Sequence, residues 1–249
     1  MSVSTTGPTG YERPTRIGDK PSMRRLLAAL VLVLAGAIAV NLLSPAQSAP
    51  TGRGASEALP SPQLVGALSL EEALQARRSI RSFSTRMLTR TEIGQLLWAA
   101  QGVTDAAGHR TAPSAGALYP LELDVVTPDG VARYTPAEHR LTWRTATDIR
   151  PALRAAALDQ AVVGEAPLII VVSGVVERTA TRYGTERAQR YVALEAGHAA
   201  QNVLLQAVSL GLGAVPIGAF DDGAVQEALG LPPDHEPLYL IPVGHPAPG

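Results

Sequence analysis

The sequence contains no cysteine among its 249 residues. This absence excludes disulfide bonds, thiolate metal sites, iron–sulfur clusters and a cysteine nucleophile. The five histidines are far apart, and no two are spaced to place both imidazoles on one helix face, so no metal site is predicted. The motifs G-x-S-x-G and S-x-x-K are also missing, which disfavours a serine hydrolase.

The sequence also has no excess of basic residues, since it contains 21 Lys and Arg and 22 Asp and Glu. Nucleic-acid binding draws its affinity from a concentrated basic surface that releases counterions, so no nucleic-acid partner is expected. With 46% apolar and 17% charged residues, the chain falls in the globular class. We expect a small-molecule partner instead.

One long apolar stretch without charge occupies residues 26–43. As a helix it would be about 27 Å long, close to the hydrocarbon thickness of a bilayer. Basic residues before it, including Arg24 and Arg25, predict a membrane-anchored protein with its domain on the extracytoplasmic side, or an exported one if the segment is cleaved as a signal. The expected parts are a disordered cytoplasmic tail at 1–22, a signal or membrane-anchor segment at 23–43, a flexible linker at 44–63 and one domain at 64–246.

The domain shows helix and strand patterns in alternation. Capping boxes of the form S/T-x-x-E begin at Ser69 and Thr89 and predict helices that start directly after them. Pro128-Asp129-Gly130 predicts a turn between two strands, and runs rich in β-branched residues predict strands over 139–144, 167–176 and 238–244. Residues 185–210 have the pattern of one long helix. The expected fold class is α+β, with helices packed on one sheet.

Three arginines stand within five positions in "RRSIRSF", residues 77–83. Together with Ser79, these guanidinium groups have the composition that holds a phosphate through charge-assisted hydrogen bonds. The alternative is a solvated basic helix end, which the helix dipole favours. The residues alone leave both interpretations open.

Two further stretches are rich in glycine, proline and small residues. "TAPSAGALYP", residues 111–120, would let its backbone lie close to a flat ligand, or it is simply a loop. "GLGAVPIGAF", residues 211–220, breaks the dinucleotide fingerprint because Pro216 stands at the third glycine and the run follows a helix. A Rossmann site is therefore not expected, and a helix C-cap at Gly211 accounts for the start of this run.

In chain order, "RRSIRSF", "PSAGALYPLEL", "YVALEAGHAAQNVLLQAVSLGLGAVPIGAF" and "LYLIPVGHP" resemble the signatures of the nitroreductase superfamily. Within it they are most similar to the azoline-oxidising dehydrogenases of the SagB/ThcOx type. The resemblance covers about residues 66–246. It implies a nitroreductase-like fold, with a mostly antiparallel central sheet flanked by helices, and a homodimer that binds FMN at its interface.

The resemblance also implies roles for particular residues. In similar proteins, the residue that matches Arg77 contacts the flavin phosphate. The residues that match Ser79 and Arg81 reach the phosphate or the pyrimidine edge of the ring. The segment Pro113–Gly116 lies against the ring from the partner subunit, and Pro216–Ala219 passes the flavin N5. The implied cofactor-binding residues are Arg77, Arg78, Ser79, Arg81, Pro113, Ser114, Ala115, Gly116, Pro216, Ile217, Gly218 and Ala219.

This chain departs from the family pattern at two places. The chain ends in "GHPAPG" without the basic residue that many relatives carry after the last strand. The Lys-Tyr pair of azoline dehydrogenases is matched by Arg182-Tyr183, and a guanidinium cannot act as the general base. Arg182 and Tyr183 are still the expected catalytic pair, with Tyr183 as acid or hydrogen-bond donor.

Three functions follow as expectations. The first is an FMN-dependent dehydrogenase that transfers hydride between a small-molecule or modified-peptide substrate and flavin N5. The second is an NAD(P)H-dependent nitro or quinone reductase of the wider superfamily. The third is a flavin-binding accessory protein with reduced catalysis.

Overall fold

Residues 53–248 are described by the structure, a computed structural model. The predicted tail 1–22 and the predicted apolar segment 26–43 lie outside the described residues. The expectation of a membrane protein with an extracytoplasmic domain is not upheld: over 53–248, no helix is long and apolar enough to cross a membrane. We withdraw the predicted membrane anchor and location.

Seven α-helices lie within the described part of the chain. Both predicted capping boxes are present. The hydroxyls of Ser69 and Thr89 each accept a hydrogen bond from the backbone N–H of the glutamate three residues later, and the carboxylate of that glutamate accepts one from the backbone N–H of the capping residue. The helices are α1 (Leu70–Ala76), α2 (Arg90–Gln101), α3 (Arg150–Ala156), α4 (Ala161–Glu165), α5 (Val176–Tyr183), α6 (Thr185–Ser209) and α7 (Asp222–Leu229). After α6, Gly211 adopts a φ of 69°, which confirms the predicted C-cap region.

Seven strands form one sheet in the order β1-β4-β3-β2-β5-β7-β6, and every neighbouring pair is antiparallel. The strands are β1 (Ser56–Ala58), β2 (Leu121–Thr127), β3 (Gly130–Thr135), β4 (Arg140–Thr145), β5 (Leu168–Gly174), β6 (Gly213–Ala214) and β7 (Glu236–Gly244). The α+β class with an antiparallel sheet is confirmed. One difference is that residues 56–58, expected in the linker, pair with β4.

Alternation along the strands divides the core into two layers, since successive side chains point to opposite faces. In β5, Leu168, Ile170 and Val172 pack toward α2 and α6, while Ile169 and Val171 pack toward α3, α4 and α7. All seven residues of β5 are buried, as expected for a strand covered on both faces. The long helix α6 therefore lies across one face of the sheet.

A buried ion cluster ties three strands together on the other face. The Asp124 carboxylate on β2 has no solvent exposure and receives two hydrogen bonds of 2.8 Å from Arg133 on β3. Arg144 on β4 adds a third at 3.2 Å. Burial lowers the pKa of the Arg133 guanidinium, but the carboxylates of Asp124 and Glu122 raise this pKa by more. The pKa is therefore raised overall. The cluster therefore cross-links β2, β3 and β4.

Candidate functional site

The segment 77–83 runs along the edge of the sheet that ends in β6. Ser79 bridges Ala214 in parallel register, and the Ile80 N–H donates to the Ala214 carbonyl at 3.1 Å. Further along, the Ser84 N–H donates to the His245 carbonyl at 2.8 Å. These contacts hold the arginine-rich segment beside both the short strand after α6 and the end of β7.

Two glycines allow this close approach. A Cβ on Gly213 would lie 2.7 Å from the Cβ of Ile80, and a Cβ on Gly244 would lie 2.8 Å from Cγ of Phe83. Real carbon atoms do not approach so closely, since their optimal separation is about 3.5–4.0 Å. The sequence places glycine where the segment presses on the sheet.

The segment Pro216–Ala219 continues from the same edge. Ile217 exchanges backbone hydrogen bonds with Leu240 at 2.8 and 3.0 Å, which fixes the chain where it leaves β6. Gly218 and Ala219 are exposed, and a Cβ on Gly218 would meet no atom within 4 Å. We call Arg77–Arg81 together with 214–219 the arginine edge. At this edge the structure brings together two of the three predicted cofactor-binding segments.

Within residues 53–248, the cations of the arginine edge have no acidic partners. Over residues 53–248, no carboxylate lies within ion-pair distance of Arg77, Arg78 or Arg81. The Arg78 guanidinium donates only to the carbonyls of Gln75 and Arg77, at 2.9 and 2.8 Å. Three fixed positive charges without carboxylates form a donor set suited to an anion such as a phosphate.

The third predicted segment forms a strained loop elsewhere. Its 3₁₀ turn, Ala115–Ala117, includes Gly116 with φ of 64°, and Ala117 and Tyr119 also have positive φ, 53° and 46°. Positive φ at the non-glycine residues Ala117 and Tyr119 costs on the order of 1–3 kcal/mol each, and such strain is concentrated at functional sites. The Ser114 hydroxyl holds the loop by accepting a hydrogen bond from the Tyr119 N–H at 2.9 Å.

Arg182 and Tyr183, the expected catalytic pair, lie against this loop. A Cβ on Gly116 would be 2.9 Å from the Tyr183 hydroxyl and 3.0 Å from Nη1 of Arg182. The Tyr183 ring packs edge-to-face on Tyr191 of α6, with centroids 5.1 Å apart. The loop and the pair, predicted from separate motifs, thus share one location, which we call the loop site (113–119 with 182–183).

Beneath the loop lies a buried polar group that the motifs do not indicate. Glu195 on α6 is 2% exposed and accepts a hydrogen bond from Gln101 at 3.4 Å. Gln101 in turn accepts from the Arg110 guanidinium at 2.9 Å. Burial raises the pKa of Glu195, and hydrogen bonds from Ser114 and Gln101 and the charge of Arg110 oppose this shift. In the sequence, the sign of this buried group is a glutamate that stands within the apolar stripe of α6.

Glu195 also lines an open cavity of about 290 Å³ beside the loop. The other lining residues are Pro113, Ser114, Ala115, Tyr191, Leu194 and His198. The side chain of His198 is exposed at this cavity. The cavity is almost entirely apolar, and the side chain of Leu194 is 55% exposed at its rim.

The arginine edge and the loop site lie at different positions along α6. The loop site contacts the start of this helix and Glu195, whereas Ala214 follows its end at Ser209. Fourteen residues of helix between Glu195 and Ser209 correspond to about 21 Å.

The model of the nitroreductase family matches residues 74–245. A Methanocaldococcus jannaschii protein named as a nitroreductase is 43% identical over 183 residues, which are 71% of this chain and 91% of that protein.

Solved structures agree with the family match. A structure from Ralstonia eutropha described as a nitroreductase has a TM-score of 0.71 and 31% identity, and covers 79% of this chain and 95% of that one. The NADPH:FMN oxidoreductase from Vibrio harveyi, complexed with NAD+, has a TM-score of 0.55 and 27% identity, covering 72% of this chain and 69% of that one.

Proposed function

The chain belongs to the nitroreductase family, and from this premise we propose that it is an FMN-dependent oxidoreductase that acts as a homodimer. The observation that carries the proposal is the arginine edge. Arg77, Arg78 and Arg81 have no carboxylate partner within 53–248 and stand beside the open backbone of Gly218 and Ala219. The name of the Vibrio harveyi relative supports the choice of FMN.

The residues of the edge fit this cofactor. The guanidinium groups would hold a phosphate, and Ser79 adds a hydroxyl beside them. The open space at Gly218 lets a flat ring approach the backbone, where the Ala219 N–H is available as a donor. When bound, FMN supplies hydride transfer at its N5 atom. Arg81 would place a fixed positive charge near the ring edge and stabilise negative charge there.

The dimer supplies the second half of the site. Because the loop site is displaced from the arginine edge along α6, we infer that Pro113–Gly116 of one copy covers the arginine edge of the other. Exposed Leu194 and the apolar cavity beside it would be buried in that arrangement. Arg182 and Tyr183 would then orient the substrate at the same place.

Two substrate classes remain in the proposal. Reduction of a nitro or quinone compound with NAD(P)H is favoured by Arg182, which cannot accept a proton, and by the names of the similar proteins. Oxidation of an azoline is favoured only by the resemblance of the motifs to SagB/ThcOx-type dehydrogenases. We place the reductase first.

The test is the visible absorption spectrum of the full chain purified from an FMN-replete host, before and after anaerobic addition of NADPH. Flavin bands that bleach with NADPH support the reductase. Bands that bleach only with dithionite support a dehydrogenase with another donor, or an accessory protein if no substrate reduces them. A colourless protein that does not bind added FMN would refute the proposal.

A charge reversal tests the arginine edge itself. Arg81→Glu should abolish flavin retention, because it places a carboxylate among the cations meant for the cofactor. The matched control is Arg140→Glu on β4, at the opposite side of the sheet. Normal flavin content in Arg81→Glu would contradict the assignment of this edge.

A further inference from the structure

Arg182 and Tyr183 direct two polar groups at one point of the loop site. A Cβ on Gly116 would lie 3.0 Å from Nη1 of Arg182 and 2.9 Å from the Tyr183 hydroxyl, so the two atoms converge beside this glycine. Hydrogen bonds to oxygen are about 2.5–3.2 Å long, so two donors this close together can bind the same acceptor group. The guanidinium can only donate, and the tyrosine hydroxyl can donate as well. The pair therefore has the geometry of a site for a hydrogen-bond acceptor.

Three arginines lie near the loop, and their partners differ. Arg178 donates to the Glu122 carboxylate, and Arg110 donates to the Gln101 side chain at 2.9 Å. Over residues 53–248, no carboxylate lies within ion-pair distance of Arg182. The side chain of Arg182 is exposed. Its positive charge is therefore available to a ligand at the loop site.

The end of α5 and its contacts hold both side chains in place. Gly184, the residue after this helix, has a φ of 77°, and its N–H donates to the Ala180 carbonyl at 2.8 Å. The Arg182 guanidinium lies 5.5 Å from the centroid of the Tyr183 ring, which is within the range of a cation–π contact. The Tyr183 ring in turn packs edge-to-face on Tyr191 of α6. The two donors are therefore ordered before a ligand binds.

The charge of the pair indicates the class of ligand. Arg182 supplies one positive charge, and Tyr183 adds a neutral donor beside it. The arginine edge, which we assign to a phosphate, supplies the three positive charges of Arg77, Arg78 and Arg81. A single cation with a second donor matches a monoanion whose two oxygens accept side by side, which is the geometry of a carboxylate.

We propose that Arg182 and Tyr183 form a subsite for a carboxylate on the electron-accepting substrate, so that the protein favours nitro or quinone compounds that carry a carboxylate group. The inference rests on the proposed function, because it takes the substrate to lie between this pair and a flavin on the arginine edge of the other copy. Arg182, which cannot be a general base, then determines specificity. Gly116 is required beside the pair, because a larger residue would fill the point where the two donors converge.

The experiment compares two nitro compounds that differ in charge, para-nitrobenzoate and para-nitrobenzamide, with NADPH as the donor and the FMN-saturated full chain as the enzyme. The measured quantity is the ratio of kcat/KM for the benzoate to kcat/KM for the benzamide. Any loss of turnover that affects both compounds cancels in this ratio. We expect the ratio to fall about tenfold in Arg182→Gln, which loses a charge-assisted bond, and about threefold in Tyr183→Phe, which loses a neutral donor.

A matched control removes the same charge elsewhere. Arg187, in the first turn of α6, is exposed, and Arg187→Gln should leave the ratio unchanged. Arg182→Lys keeps the charge without the planar fork and should retain part of the preference. An unchanged ratio in Arg182→Gln, or an equal fall in Arg187→Gln, would overturn the proposal. A raised KM for NADPH in Arg182→Gln with an unchanged ratio would assign the pair to a phosphate of the donor and would also overturn it.

A binding measurement separates failure of this inference from failure of the proposed function. Benzoate and benzamide carry no nitro group, so their calorimetric titration into the full chain with excess FMN measures binding without turnover. Benzoate should bind about tenfold more tightly than benzamide to wild type, and the two should bind equally to Arg182→Gln. A chain that reduces neither nitro compound but shows this difference would contradict the reductase and support the subsite. Equal binding of both compounds to wild type would overturn the inference.

Discussion

Replacement of Gly213 with alanine should displace the arginine edge. The new Cβ would lie 2.7 Å from both Cβ and Cγ2 of Ile80. Since carbon atoms prefer a separation of about 3.5 Å or more, the segment must move by about 0.8 Å. A change of rotamer cannot relieve the contact, because the Cβ of Ile80 is fixed to its backbone.

The cost can be estimated from the contacts that are lost. Movement by this distance would stretch the bond between the Ile80 N–H and the Ala214 carbonyl, now 3.1 Å, beyond hydrogen-bonding range. Overpacking of this kind costs about 1–3 kcal/mol of unfolding free energy. Loss of one charge-assisted bond from the displaced arginines costs about 1.5–3 kcal/mol in binding, so the Kd of FMN should rise about tenfold to a hundredfold.

Urea unfolding and an FMN titration by fluorescence measure the two effects separately. The matched control is Gly223→Ala near the start of α7, where a Cβ meets only an Asp221 oxygen at 3.4 Å. Alanine there should leave FMN affinity unchanged and should not destabilise the helix. Unchanged FMN affinity in Gly213→Ala would refute the placement of the cofactor phosphate on this segment.

Two further predictions concern other parts of the chain. Asp124→Asn should lower the unfolding free energy by about 1.5–3 kcal/mol in urea, because Arg133 and Arg144 lose charge-assisted hydrogen bonds to a buried carboxylate while Arg133 keeps Glu122; a loss below 1 kcal/mol would contradict this account of the cluster. Tyr183→Phe should leave the flavin spectrum intact and lower turnover about a hundredfold in steady-state assays, and unchanged turnover would remove Tyr183 from the catalytic pair.

Local features of the fold were predictable from the sequence. The capping boxes at Ser69 and Thr89 and the turn before Gly130 depend on residues within four positions of one another, and the structure contains all three. The strand β5 was also predictable, because its β-branched run is continuous. The short strand β1 was missed, since Ser56–Ala58 has neither alternation nor high strand propensity.

The sequence indicated which segments form the candidate site, but it did not indicate how these segments lie relative to one another. Ser79 and Ala214 meet across the sheet edge although 135 positions separate them, and no local pattern indicates that contact. Positive φ at Ala117 and Tyr119 has no sequence signal, because glycine would be the usual residue there. The burial of Glu195 beneath Ser114 depends on how the loop packs on α6.

The central claim is that one flavin contacts the arginine edge of one copy and the loop site of the other. The most direct test uses two variant chains, one with Arg81→Glu and the other with Gly116→Val. The valine side chain would collide with Arg182 and Tyr183. Each variant alone should retain little flavin. The two chains, carrying different tags, are co-expressed and the mixed dimer is purified through both tags.

The mixed dimer places both defects in one site and leaves the other site intact. We predict that it retains about half the flavin of the wild-type dimer, because a two-fold dimer has two equivalent sites. A mixed dimer with no more flavin than either parent variant would contradict the shared site, and a protein that forms no dimer at all would contradict it equally.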